Sequence, residues 1–170
     1  MTCGICNVGI GRSALAQLTT GCSNIGIGSY ALGGVLTGND NVVLGRSAMD
    51  ALTTGACNIA MGVDALGAAT TGCNNVAIGY LALGTGVTTG SLNIGIGNIA
   101  GCAITTGINN IALGSSAQQL ATTGCQNIAL GLGTMGAAIT TGNDNIALGV
   151  YAMDALTSGA CNIAIGASAL

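Results

Sequence analysis

The chain has no histidine, lysine or glutamate, and no proline, phenylalanine or tryptophan. Its 170 residues hold only seven charged side chains, two arginines and five aspartates, and none lies between Asp64 and Asp144. Each lack excludes a class of function. Without histidine or lysine, a cysteine or serine nucleophile has no ordinary base beside it, so the sequence predicts no enzyme. A net charge of −3 with two arginines gives no electrostatic grip on nucleic acid. Mean hydropathy is high, +0.72, yet polar breaks recur so often that no window of about 20 apolar residues exists, and no membrane insertion is expected. A soluble monomer carries about 25% charged residues. At 4%, this surface is expected to lie against partner chains, in a dense assembly, or under glycan.

What the chain does have is a period. The five residues Asn110-Ile111-Ala112-Leu113-Gly114 are one of ten copies, beginning at Asn7, Asn24, Asn41, Asn58, Asn75, Asn93, Asn110, Asn127, Asn145 and Asn162. Successive copies are 17 residues apart, twice 18, and the consensus is N-I-A-I-G-x-x-A-L-x-x-L-T-T-G-x-x. The fifth slot is always glycine: Gly11, Gly28, Gly45, Gly62, Gly79, Gly97, Gly114, Gly131, Gly149 and Gly166. A second glycine follows each Thr pair, as at Gly21 and Gly107, and two glycines per repeat read as two corners with positive φ.

Repeats this short, with two obligatory glycines, cannot hold two helices and their turns. The pattern predicts an all-β fold, a parallel β-solenoid of about ten 17-residue coils forming a single domain over residues 1–170, about 48 Å long at a rung spacing of about 4.8 Å. Alternation within N-I-A-I-G suggests that the two large residues, such as Ile111 and Leu113, point inward. The return segment is expected to add pairs such as Leu15 with Leu18, Leu32 with Val35, and Leu66 with Ala69. The small row between the large ones (Gly9, Gly26, Val43, Ala60, Ala77, Gly95, Ala112, Ala129, Ala147, Ala164) would then face outward. An outward row so small and unbroken suggests contact with another solenoid, most simply in a trimer. The two extra residues, near Thr85-Gly86-Val87 and Ala137-Ala138-Ile139, are expected to form bulges that leave the core rows in phase.

The Asn row is expected to be a structural ladder of stacked amides rather than a ligand site, and the Thr pairs a second ladder at the other corner. Among the eight cysteines, Cys57 and Cys73 are 16 residues apart, as are Cys6 and Cys22. On a 17-residue coil that is one diagonal step between rungs, a separation that suits a disulfide. The alternative is free, small apolar residues at a turn. Cys102 and Cys125 have no partner by this logic. Cys3-Gly4-Ile5-Cys6 lacks the further ligands of a zinc site, and glycine patterns such as Gly9-Ile10-Gly11 belong to the repeat, so no cofactor or metal is expected. Asp40 and Asp144 sit in Asn-Asp-Asn corners that read as solvated turns unless three chains converge on a cation. Arg46 and Asp64, 18 residues apart, are positioned to pair across rungs.

N-I-A-I-G followed by A-L and T-T-G resembles the head repeat of trimeric autotransporter adhesins, the YadA-like head, and is similar to repeats of phage and viral tail-fibre-like proteins. The resemblance spans nearly the whole chain. It implies a left-handed parallel β-roll, usually trimeric, on a fibre or cell surface, and says little about a receptor; the partners expected are further copies of the chain and a surface receptor or glycan.

Met1 leads straight into the repeat, with Thr2-Cys3-Gly4 in the T-T-G slots, so no signal peptide is expected. Both ends stop within ordinary coils, which predicts head-to-tail assembly into filaments, with Cys161 bonding near Cys3 or Cys6 of the next subunit. The function expected is that of a structural or adhesive fibre protein. The alternative is an ice-binding solenoid, motivated by the Thr ladders. Adjacent threonines, however, direct their side chains to opposite faces.

Overall fold

A computed structural model describes residues 4 to 170. Ten three-residue strands run from β1 (Val8–Ile10), β2 (Ile25–Ile27), β3 (Val42–Leu44), β4 (Ile59–Met61) and β5 (Val76–Ile78) to β6 (Ile94–Ile96), β7 (Ile111–Leu113), β8 (Ile128–Leu130), β9 (Ile146–Leu148) and β10 (Ile163–Ile165). They form one parallel sheet in sequence order. Register is kept at every step, Val8 opposite Ile25 and Ile146 opposite Ile163. The 18-residue coils do not disturb it, since Val76 pairs with Ile94 and Ile128 with Ile146. The fold is a β-solenoid, and the extra residues are absorbed in the return segment.

Its sidedness is the reverse of the one expected from hydrophobicity. The middle strand residue is the buried one: Val43, Ala60, Ala77, Ala112, Ala129 and Ala147 are sealed, whereas Val42 is 41% and Leu44 45% exposed. The cause lies on the opposite wall. There the second residue of each A-L pair (Leu32, Met49, Leu66, Leu83) is fully buried and reaches across to the strand. A Cβ placed on Gly26 would lie 3.4 Å from Leu15 Cγ and 3.6 Å from Leu32 Cδ1. The coil is too thin for large residues on both walls, so leucine and methionine fill it from one side and alanine or glycine closes it from the other. The Ala/Gly row is therefore core, not a contact face.

The return segment supplies the third side. Leu18, Leu52, Ala69, Ile104 and Ala121 are buried there, in agreement with the pairing of Leu15 with Leu18 and Leu66 with Ala69. In the second coil Leu36 takes the inward slot and Val35 is half-exposed. In the two long coils the inward slot falls to Thr88 and Thr140, and Val87 and Ile139 turn outward. Each buried hydroxyl is satisfied by the next rung: Thr88 Oγ1 donates to Ile104 O at 3.0 Å and Thr140 Oγ1 to Leu156 O at 3.1 Å.

The two glycines of the repeat do different work. Gly114 has φ 131°, and a Cβ there would lie 2.5 Å from Gly131 O on the next rung. Gly107 is not at positive φ. It is glycine because a Cβ would strike Gly124 O and approach Asn110 Nδ2 at 2.9 Å. The left-handed turns fall instead on ordinary residues, including Leu32 (φ 52°), Asn109 (φ 57°) and the β-branched Ile99 (φ 52°), where such φ values are uncommon. Main-chain bonds hold them to both neighbouring rungs: Tyr30 N donates back to Arg12 O at 2.8 Å, and Leu32 N forward to Ala48 O at 3.1 Å.

Candidate functional site

The Asn ladder is the most regular polar feature. Asn110 donates from its main-chain N and from Nδ2 to Oδ1 of Asn93, 3.0 Å each. Its Nδ2 also donates to Gly124 O at 2.8 Å, and its own Oδ1 accepts from N and Nδ2 of Asn127 at 3.1 and 3.2 Å. The same bonds recur from Asn7 to Asn162. Between the ends, from Asn24 to Asn145, the side chains are buried. Each such amide has its two donors and its acceptor occupied, so the row ties strand to T-T-G corner and rung to rung. It has no free atom for a ligand.

At the Thr corner the two residues of a pair divide as expected. Thr53 is half-buried and its Oγ1 donates to Thr70 O at 3.0 Å, whereas Thr54 is exposed. The exposed threonines form one row, bordered two residues on by Cys22, Asn39, Ala56, Cys73, Ser91 and others.

The seven described cysteines are all free thiols. The expected bonds Cys57–Cys73 and Cys6–Cys22 are not formed. Cys73 Sγ accepts from Ala56 N at 3.4 Å and donates to Thr71 O at 3.5 Å. Cys22 Sγ likewise donates to Thr20 O, at 3.4 Å. Cys125, expected to lack a partner, acts in the same way as Cys73, capping Ile108 N at 3.4 Å. This slot therefore uses its side chain as an acceptor for the rung before, and Asn39 and Ser91 fill it equivalently, with Asn39 Oδ1 taking Cys22 N and Ser91 Oγ taking Cys73 N. Cys57, Cys6 and Cys161 are exposed on left-handed corners. Cys102 is buried, its thiol donating to Gln119 O at 3.3 Å. Cys3 lies outside the described residues.

Charge is confined to a few places. Arg46 and Asp64 meet at 3.9 Å, an exposed pair that contributes at most about 1 kcal/mol. Arg12 stacks over the Tyr30 ring, 5.4 Å from its centre. Burial, and then the charge of Asp64, raises the Asp50 carboxyl above its ordinary value, against its own main-chain hydrogen bond. Asp40 and Asp144 stand on exposed corners. Among the described residues no three metal-ligating side chains cluster.

The residues misassigned from sequence are the large strand ones. Val8, Ile10, Ile25, Val42, Leu44, Ile59, Met61, Ile78, Ile163 and Ile165 are exposed and the others half-buried, in two apolar rows along the sheet. No charged residue occupies either row. Parity places asparagine and the small residue on one face, and burial makes that face the core.

No helix among the described residues is long and apolar enough to cross a membrane. No protein-family model matches the chain, and no curated protein or solved structure matches it.

Proposed function

We propose that this protein is a non-catalytic structural or adhesive fibre element whose rods associate side by side through the Ile/Val/Leu strand face. The observation that carries this reading is the outward direction of that face along all ten rungs, exposed at one or both large residues on β1 to β5 and β10 and half-buried on β6 to β9. Two side-chain rows about 7 Å apart, with about 2 Å of side chain beyond each, make a strip about 11 Å wide, roughly 500 Å² over ten rungs spaced about 4.8 Å. That is at the upper end of the largest apolar patch on an ordinary monomer. Two such strips together reach about 1,000 Å², about the least area a specific interface needs. A trimer about the rod axis follows if each rod turns this face to two neighbours. The contact row is thus Ile/Val/Leu, in place of the Ala/Gly row.

Lengthwise growth has its own support. The strand and Asn bonds recur from rung to rung, so rungs of separate rods have matching bonds to offer one another, which favours filaments. The resemblance of the repeat to adhesin heads and tail-fibre-like proteins agrees with a setting on a virion, a cell surface or an extracellular filament. Sedimentation and negative-stain microscopy test the proposal together. Lateral bundles or trimers are expected, reverting to single rods when Ile94, Ile111 and Ile128 are all replaced by threonine. Monodisperse monomers of the natural sequence at micromolar concentration count against it.

The ice-binding alternative is favoured by the exposed single-file threonines, whose spacing is fixed by the rungs. Thermal hysteresis of the purified protein, abolished by replacing Thr54, Thr71, Thr106 and Thr123 with lysine, is the result it requires.

A further inference from the structure

The outer wall of the solenoid carries side chains at the seventh and tenth slots of the repeat. Only in the coil beginning at Asn127 are both slots glycine, Gly133 and Gly136. Beside them lies a notch of about 280 Å³, walled by Ser116 and Gln119 on the preceding coil and by Tyr151, whose ring leans over Gly133, and Asp154 on the following one. Glycine is required at its floor: Gly133 has φ 62°, and a Cβ on it would strike the ring of Tyr151. At Gly136 a Cβ would lie 2.5 Å from Ser116 O.

The composition of the walls is unusual for this chain. One of its three tyrosines and one of its five aspartates face a glutamine and a serine across two rungs, about 10 Å. The carboxylate of Asp154, the amide of Gln119 and the hydroxyls of Ser116 and Tyr151 have no hydrogen-bond partner among the described residues. Gln119, Ser116 and Asp154 are nevertheless half-buried. They are the polar groups in this wall still free to bind something.

We propose that this notch binds one neutral sugar ring. An aromatic side chain offers a face to ring C–H groups, the carboxylate accepts from two adjacent hydroxyls, and the glutamine amide donates and accepts on the opposite edge. The width admits one ring and its hydroxyls. An anion is excluded because the sole charge present is Asp154, and both arginines lie on the first and third coils. A lone carboxylate is too few ligands for a metal ion, and a simple cation leaves Gln119 unused. The site goes beyond the fibre reading and does not depend on it, since a single rod contains all of it.

Saturation-transfer NMR observed on the sugar is insensitive to the size of the assembly, so it separates failure of this proposal from failure of the fibre reading. The full chain is titrated with glucose, galactose, mannose and N-acetylglucosamine. Expected is saturable, millimolar binding of at least one, with transfer concentrated on the C–H groups of one ring face. Asp154→Asn and Gln119→Ala alter only side chains and should each weaken binding about tenfold or more. Tyr151→Asn, which keeps a residue tolerant of positive φ, should abolish it. Absence of saturable binding for all four sugars, binding unchanged in the Asp154 and Gln119 variants, or preference for tetramethylammonium over every sugar overturns the proposal.

Discussion

Asn93 and Asn110 share one oxygen: Oδ1 of Asn93 accepts both the main-chain and the side-chain amide of Asn110, at 3.0 Å each. Because Asn110 repeats the arrangement toward Asn127, a buried chain of amides runs beside the sheet and joins every rung. Asn110→Ala strips Gly124 O and Asn127 N of their side-chain partners inside the core. Two buried orphans cost about 2–6 kcal/mol, and chemical denaturation should show a loss in that range. Thr123→Ala, exposed on the same coil, should change stability by no more than about 0.5 kcal/mol.

The sidedness of the strand predicts an inverted mutational ranking. Ala112→Leu forces volume into a sealed slot and should destabilise by about 1–3 kcal/mol or more. Ile111→Thr and Leu113→Thr, on the outward rows, should have small effects on the melting of a dissociated rod while weakening association. Thermal melts of the three variants decide the orientation directly. A larger loss at Ile111 than at Ala112 would mean that the large residues are the core.

Gln118 occupies the slot filled by Leu83 two coils earlier and by Met135 one coil later, yet both its polar side-chain atoms are buried without a partner. It sits beside Gly101, where the buried apolar cluster around Leu83 and Ile104 gives way to the one around Met135 and Met153. Gln118→Met has nearly the same shape and removes both orphans. It should raise stability by about 1–3 kcal/mol, measured as a shift in the denaturation midpoint.

The free thiols give a labelling order. Cys6, Cys57 and Cys161 are exposed and should react with iodoacetamide in the native state, ahead of Cys102, which is buried. Peptide mapping without reduction should recover Cys57 and Cys73 as alkylated monomers.

Asp50 supplies the pH dependence. Its carboxyl is raised in the folded state above the ordinary 3.8 by burial and by Asp64. Protonation therefore favours the fold, and ionisation at neutral pH opposes it. Asp50→Asn should stabilise the protein slightly near neutrality, an advantage that disappears as pH falls through the raised carboxyl value toward 3.8. Melts across that range check the sign.

Periodicity alone determined a great deal. Ten in-phase copies with two glycines each leave no room for helices, and the strands stand where N-I-A-I-G begins, in unbroken register across both long coils. The Asn ladder was legible for the same reason, because identical side chains one coil apart must meet. Sidedness was not legible, because hydrophobicity identifies which residues are apolar but not how thick the coil is. Only the approach of Leu32 and Leu83 from the far wall shows that the strand must turn its small residues inward. The cysteines mislead for a related reason. Their 16-residue diagonal says nothing of side-chain direction at a corner, and the sulfur of Cys73 meets Ala56 N and Thr71 O. The notch between Gln119 and Asp154 likewise required three dimensions: residues 35 apart in the chain become neighbours across one missing pair of side chains only when the coils are stacked.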